Sequence, residues 1–401
     1  MVGDGSIEKP SLMAAGLRKF AVRRHICNWN PRTEKKMALF IQKPIFWNTR
    51  NYVVPSGVVA TSGYPKDKGY GHEEWNNSPQ MLLVRGGLRY RAFHTEGLGS
   101  APLDDNAGQT FIFMTASHDG VQQLVGVAGN AAGLSQDHYR EQRDQIVEDL
   151  SLHKLWADAW AVANVQEQYQ NDQKQFMRDW KRDLHWIPNW ICPDDFYWWL
   201  DEPVTLDPRT ITGKARLLGM FGSYTELNTA TAARMLDAVP AIQRGEKWKR
   251  LSDAMQCAPT EPLATDDKFD GSEPVTSVLT RVNARRGQGQ FREDLIRLWG
   301  GACSVTGLEC REVLRASHVK PWAVSTHKQR LDSNNGLLLS ANLDALFDKG
   351  LITFDDAGRM QMSPRLGAKH RAALDLPRPL RFVPKELAPY LKFHREEVFQ
   401  G

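Results

Sequence analysis

The sequence predicts an α+β protein, and three observations carry the prediction. Residues 37–127 contain short apolar and β-branched runs separated by glycine-rich or polar turns, as consecutive strands do. From Gln136 onward, apolar residues recur at helical spacing. In the C-terminal third, two short apolar runs precede a short amphipathic segment, the order of a strand pair followed by a helix.

The strand runs of the first block are Ala38–Ile41, Tyr52–Val54, Met81–Val84, Thr110–Met114 and Leu124–Val127, spaced as in a barrel or curled sheet. The helical stripe that follows is carried by Ile146, Leu150, Leu155, Trp156, Trp160, Val162 and Val165. Shorter helices are expected over 186–240, interrupted by Pro188, Pro193, Pro203 and Pro208. Seven of the 13 tryptophans fall between Trp156 and Trp199. They read as large fillers of a helical core, with a base-stacking surface as the alternative. Residues 256–277 are rich in Pro, Thr, Asp and Ser without periodicity and read as a linker. The division expected is therefore 1–135, β-rich; 136–255, helical; 256–277, linker; and 278–401, a C-terminal domain. The proline-rich basic tail after Pro364 is assigned no chemistry.

Composition narrows the function classes. Hydrophobic residues make up 41% and charged residues 24%, which supports a buried core. A net charge of +4 does not by itself demand a nucleic-acid partner, so a local basic face must supply any such affinity. The 5 cysteines (Cys27, Cys192, Cys257, Cys303 and Cys310) are scattered, which argues against a disulfide framework and fits a reducing cytoplasm. No apolar run approaches the ~18–20 residues of a membrane span, and Arg23 and Arg24 interrupt any leader-like stretch. A cytoplasmic protein with no membrane partner is expected.

The residues with chemistry lie in the last third. Val313–Val319 reads as a strand ended by Pro321, and Leu337–Leu339 as its partner across a polar loop. Ala341–Lys349 reads as a helix with Gly350 at its C′ position. Asp344 and Asp348 are four residues apart, so their carboxylates share one face of that helix. Taken singly, a strand histidine or two helix aspartates are ordinary structural features. The ordered set His318, Asn335, Asp344 and Asp348 is what points to a reaction.

Those stretches are Leu314-Arg-Ala-Ser-His-Val-Lys-Pro-Trp322, Asn335-Gly-Leu-Leu-Leu339 and Asn342-Leu-Asp-Ala-Leu-Phe-Asp-Lys-Gly350. With the preceding helix from Arg285, the region to Ser363 resembles the HNH endonucleases, whose fold is the ββα-metal finger. It is most similar to a restriction-associated subgroup. The resemblance implies that His318 is the general base and that Asn335 braces the loop and orients it. It implies that Asp344 stands where the family's last histidine falls, with Asp348 a further metal ligand. Ser317 occupies a position often held by a stronger ligand. The implied cofactor is Mg²⁺ or Mn²⁺, because oxygen donors suit hard cations and argue against zinc at the catalytic position. A phosphodiester resists attack because it is anionic, so charge stabilisation plus a base near neutrality is the chemistry required. The implied partner is double-stranded DNA, with Lys320, Arg285, Arg286 and Arg292 as phosphate contacts. His327, in the loop, reads as surface or a further phosphate contact. Cys303 and Cys310 read as buried thiols, since a second pair for a zinc knuckle is absent.

The β-rich block is the candidate reader of the target. Thr110–Met114 followed by Gln123–Val127 resembles strands of PUA-like barrels, a superfamily that includes modified-base readers. Trp47, Tyr64, Tyr70 and Trp75, around the glycine-flanked loop 69–76, are then the expected walls of a pocket for a flipped base. The expectation is a restriction-type endonuclease selective for modified DNA. The alternatives are a type II enzyme cutting unmodified DNA as a homodimer, a nuclease of little specificity, and a catalytically degenerate HNH scaffold.

Overall fold

A computed structural model describes residues 38–97, 103, 106–215, 217, 224–256 and 278–401. Except for Gln256, the expected linker lies outside the described residues. The described residues form one compact unit. Among the described residues no helix is long and apolar enough to cross a membrane.

The first half is built on a mixed sheet of β1 (Leu39–Pro44), β2 (Leu82–Arg85), β3 (Leu88–Phe93), β4 (Thr110–His118), β5 (Val121–Gly133), β6 (Trp190–Pro193), β7 (Tyr197–Thr205) and β8 (Thr225–Leu227). Its order is β2-β3-β6-β5-β4-β1-β8, with β7 paired to β5. The expected runs at 38–41, 81–84, 110–114 and 124–127 are all strands. Tyr52–Val54 is not: it lies in a turn, with Asn51 and Tyr52 at positive φ. β4 and β5 form a long hairpin through Asp119-Gly120, both at positive φ as a tight right-twisted hairpin requires.

Two features depart from the barrel expectation. The sheet path is open, with β2 and β8 at its ends, and β1 runs parallel to β4. The segment expected to be helical also supplies β6, β7 and β8. The 13-residue β5 offers its second edge to both β6 and β7: residues 123–128 pair with β7, and Ala132 and Gly133, beyond the end of β4, pair with β6. A four-residue apolar run such as Trp190–Pro193 is too short for periodicity to separate strand from helix.

Helices α1 (Arg140–Asp149) and α2 (Gln173–Asp183) pack their apolar stripes on one side of this sheet. Buried Arg143 ties α1 to the end of β5. It donates to Leu134 O and Gln136 O, and its guanidinium lies 4.3 Å over the Trp186 ring. Trp180 and Trp190 are 2% exposed, so these tryptophans serve the core. Helices α3 (Thr229–Asp237) and α4 (Glu246–Gln256) complete a second core with Phe111, Phe113 and Val127.

Helix α5 (Val278–Leu298) joins the sheet to the C-terminal part. Val278 and Val282 enter the front core, while Phe291 and Leu295 enter the C-terminal one. Tyr90 Oη donates to Asn283 Oδ1 at 2.6 Å, and Arg286 pairs with Asp195 at 3.3 Å. The C-terminal part follows the expected order: β9 (Leu314–His318), β10 (Gly336–Ser340) and α6 (Ala341–Asp348). Gly350 has φ +63°, and a Cβ there would lie 2.1 Å from Val398 O, so only glycine fits.

The reader pocket is not formed by the four rings expected to wall it. Trp75 and Tyr70 are 0% and 1% exposed and pack with Phe176 and Trp180 in the core. Tyr64 sits edge-on to Tyr70, with their hydroxyls 3.0 Å apart. Trp47 belongs to a different cluster and stacks on His118 at 5.2 Å. A loop of alternating glycines and aromatics reads equally as pocket wall or core plug, and here α2 covers it. Trp75→Ala should therefore cost stability, about 3–5 kcal/mol for deleting a buried large ring, read as a lower urea midpoint. An unchanged midpoint would contradict this burial.

Candidate active site

Strand β9 pairs with β10 so that His318 lies opposite Gly336 and Ser317 opposite Leu337. Leu337, Leu338 and Leu339 are wholly buried, which anchors the pair in the core. Successive side chains on a strand face opposite ways. His318 accordingly stacks on Phe291 of α5, with ring centroids 3.8 Å apart, while Ser317 turns to α6. Gly336 makes room for that stack: a Cβ on it would lie 2.5 Å from Phe291 Cζ and 2.8 Å from Leu295.

His318 Nε2 is 3.0 Å from Arg330 O. A carbonyl only accepts, so Nε2 carries the proton and the neutral ring keeps its lone pair on Nδ1. Burial pushes the His318 pKa down to about 4, below the near-neutral value expected of the base, so the ring is neutral and able to accept a proton at physiological pH but is a weaker base than expected. Trp322 closes the edge of the ring at 5.4 Å.

Asn335 is wholly buried and organises the loop between the strands. Its Oδ1 accepts from Lys320 N at 2.8 Å, and its Nδ2 donates to Gln329 O at 3.0 Å and Lys320 O at 3.3 Å. The same loop carries the Arg330 carbonyl that holds His318. Asn335→Ala should strand the Lys320 amide, costing about 1–3 kcal/mol for a buried group left unpaired. Chemical denaturation measures this, and a loss below 0.5 kcal/mol (about the noise of a surface change) would count against the bracing role.

Ser317, His318, Asp344 and Asp348 line one cavity of about 220 Å³. Asp344 is 8% exposed and Asp348 is exposed at the end of α6. Ser317 Oγ donates to Asp348 Oδ1 at 3.3 Å, so the serine orients a carboxylate. Two carboxylates and a hydroxyl form an all-oxygen set of the kind hard divalent cations accept.

The expected phosphate contacts are largely engaged elsewhere. Arg292 is 8% exposed and lines the cavity, but its two terminal nitrogens donate to Leu314 O and Arg311 O. Arg286 is held by Asp195. Lys320 Nζ donates to Gln329 Oε1 at 3.1 Å and lies over the Phe393 ring. Arg285 lies in α5 and His327 starts the short helix His327–Leu331; their side chains are outside the described residues. Cys303 is buried as expected, whereas Cys310 is exposed.

Sequence reasoning missed several cavity residues. Arg315, one residue along from the resembling stretch's start, lines it from β9. So do Gln109, Phe111 and Asn130 of the sheet region and His394 of the tail. Asn130 sits at φ 51° where the β4–β5 register slips, a bulge that turns its side chain out of the normal alternation. No local signal marks such residues, because the sheet and the nuclease strands meet only in the folded chain.

His394 gives the site a pH signature. It is 1% exposed, its Nε2 faces Phe347 O at 3.2 Å and its Nδ1 faces Thr353 Oγ1 at 2.9 Å. Burial lowers its pKa to about 4. Below the unfolded value near 6.5, the unfolded chain takes a proton that the folded chain refuses. Stability should thus be full above about pH 6.5 and fall toward pH 4, by up to about 3 kcal/mol from this residue. Urea titrations across that window measure the slope, and His394→Gln should reduce it by this residue's share, leaving the part that His318 contributes; a slope unchanged by the substitution would refute the assignment.

Residues 303–355 match the family model described as HNH endonuclease. This part of the chain is an HNH endonuclease domain, which implies metal-dependent phosphodiesterase activity; nucleases with this domain act on DNA. No curated protein matches the chain.

Proposed function

We propose that this protein is a restriction-type DNA endonuclease. The observation that carries the reading is the single cavity lined by His318, Ser317, Asp344 and Asp348 together with Gln109 and Asn130 of the front sheet. In it His318 Nδ1 takes a proton from the attacking water, while Arg330 O holds Nε2–H and Phe291 fixes the ring plane. Asp344 and Asp348 would hold the divalent cation, with Ser317 orienting Asp348. When bound, Mg²⁺ or Mn²⁺ would supply charge stabilisation to the scissile phosphate and the leaving oxygen. Asn335 keeps the loop, and through it the base, in place.

Cutting relies on phosphate contacts that every sequence offers, so target choice must come from elsewhere. The sheet residues at the cavity are the nearest polar groups for that task. A PUA-like modified-base reader is the first reading of the front half. The burial of Tyr70 and Trp75 favours the second reading, an enzyme selecting unmodified DNA, over one that stacks a flipped base on those rings. Digestion of matched modified and unmodified phage DNAs with Mg²⁺ or Mn²⁺ decides between them. Preferential cutting of the modified DNA restores the modified-base reader. Failure to nick either DNA with either metal removes the endonuclease reading in favour of a degenerate HNH scaffold.

A further inference from the structure

The front sheet holds a second cluster of ligand-type residues that shares none with the nuclease cavity. Glu73 lies in the helical turn His72–Trp75, and His94 and Glu96 follow the end of β3. One donor atom from each lies within 4.8 Å of the others. We propose that Glu73, His94 and Glu96 form an independent site for a divalent transition-metal ion such as Zn²⁺, clamping that turn to the strand end.

Glu73 is 1% exposed, with Oε1 accepting from Phe46 N at 2.9 Å. Its Oε2 is buried and has no hydrogen-bond partner among the described residues. Leaving a buried acceptor unsatisfied is costly, and more so on a carboxylate, unless a cation is the partner. The histidine is prepared for the same role. Its Nδ1 lies 2.7 Å from Trp186 O, so Nδ1 carries the proton and Nε2 keeps the lone pair. A ligating histidine is commonly fixed in this way, by a backbone carbonyl on its other nitrogen. Glu96 is exposed and gives the site its route to solvent.

The donor set selects the ion. Two carboxylate oxygens and one imidazole favour Zn²⁺-like ions over Mg²⁺, which rarely takes nitrogen. Ligand distances of about 2.0–2.2 Å put donors roughly 3.4 Å apart around a tetrahedral ion, a closure that the exposed Glu96 chain can make. Lys43 is the rival cation: it is 1% exposed, close enough to sense Glu96 and Glu73, and donates to Gly97 O at 3.2 Å.

The test uses the full chain carrying Asp344→Ala and Asp348→Ala, so that the nuclease carboxylates hold no ion. Titration calorimetry with Zn²⁺, and the zinc retained after gel filtration, should show about one ion per chain, with a rise in Tm on loading. Adding Glu96→Gln, an exposed change that leaves packing intact, should weaken binding about tenfold or more, and His94→Ala likewise. No zinc bound by the parent, or equal affinity in the parent and the Glu96→Gln chain, overturns the site and leaves Lys43 as the resident counter-charge.

Discussion

Replacing His318 with alanine should lower DNA cleavage by at least about 10²-fold, the lower range for losing a general base. The reason lies in one tautomer. Arg330 O takes the Nε2 proton, so Nδ1 is the only basic nitrogen, and its lone pair stays available because burial keeps the ring neutral. The same substitution removes a ring stacked on Phe291, so some stability goes with it. His318→Asn separates the effects: it fills part of the space and offers hydrogen bonds, yet cannot accept a proton at neutral pH. Plasmid nicking under single turnover reads the chemical step. Near-native cleavage by both variants, with DNA binding unchanged, would remove His318 from the base role.

Asp344→Ala should reduce metal-dependent cleavage at least as severely. Losing a partner one shell outside a metal typically costs about 10–100-fold, and a direct charged ligand should cost no less. The carboxylate is 8% exposed and lines the cavity beside His318, where lower dielectric strengthens its hold on a cation. Asp348→Ala should be milder in affinity, because that residue is exposed at the helix end. Raising Mn²⁺ should recover part of the Asp348→Ala activity and little of the Asp344→Ala activity. If Asp344→Ala cuts normally at low Mg²⁺, the carboxylate is not a ligand.

The ββα order of the C-terminal part was readable from the chain because each element is set by neighbours a few residues apart. Period-two strands, an i,i+4 pair of aspartates and a glycine with φ +63° are local facts, and they put His318 on β9 and both carboxylates on α6. Four of the five strand runs in the first block were legible for the same reason. The tertiary structure alone decided what those local signals leave open. It buried Tyr70 and Trp75 under α2, paired β1 with β4 in parallel, and drew β6, β7 and β8 into the sheet. It spent Arg286 on Asp195 and Arg292 on two carbonyls, and it brought Gln109 and Asn130 to the nuclease cavity. An aromatic ring or a guanidinium carries no mark of whether its partner will be solvent, DNA or a residue a hundred positions away. That choice belongs to the surfaces that meet when the apolar faces are buried.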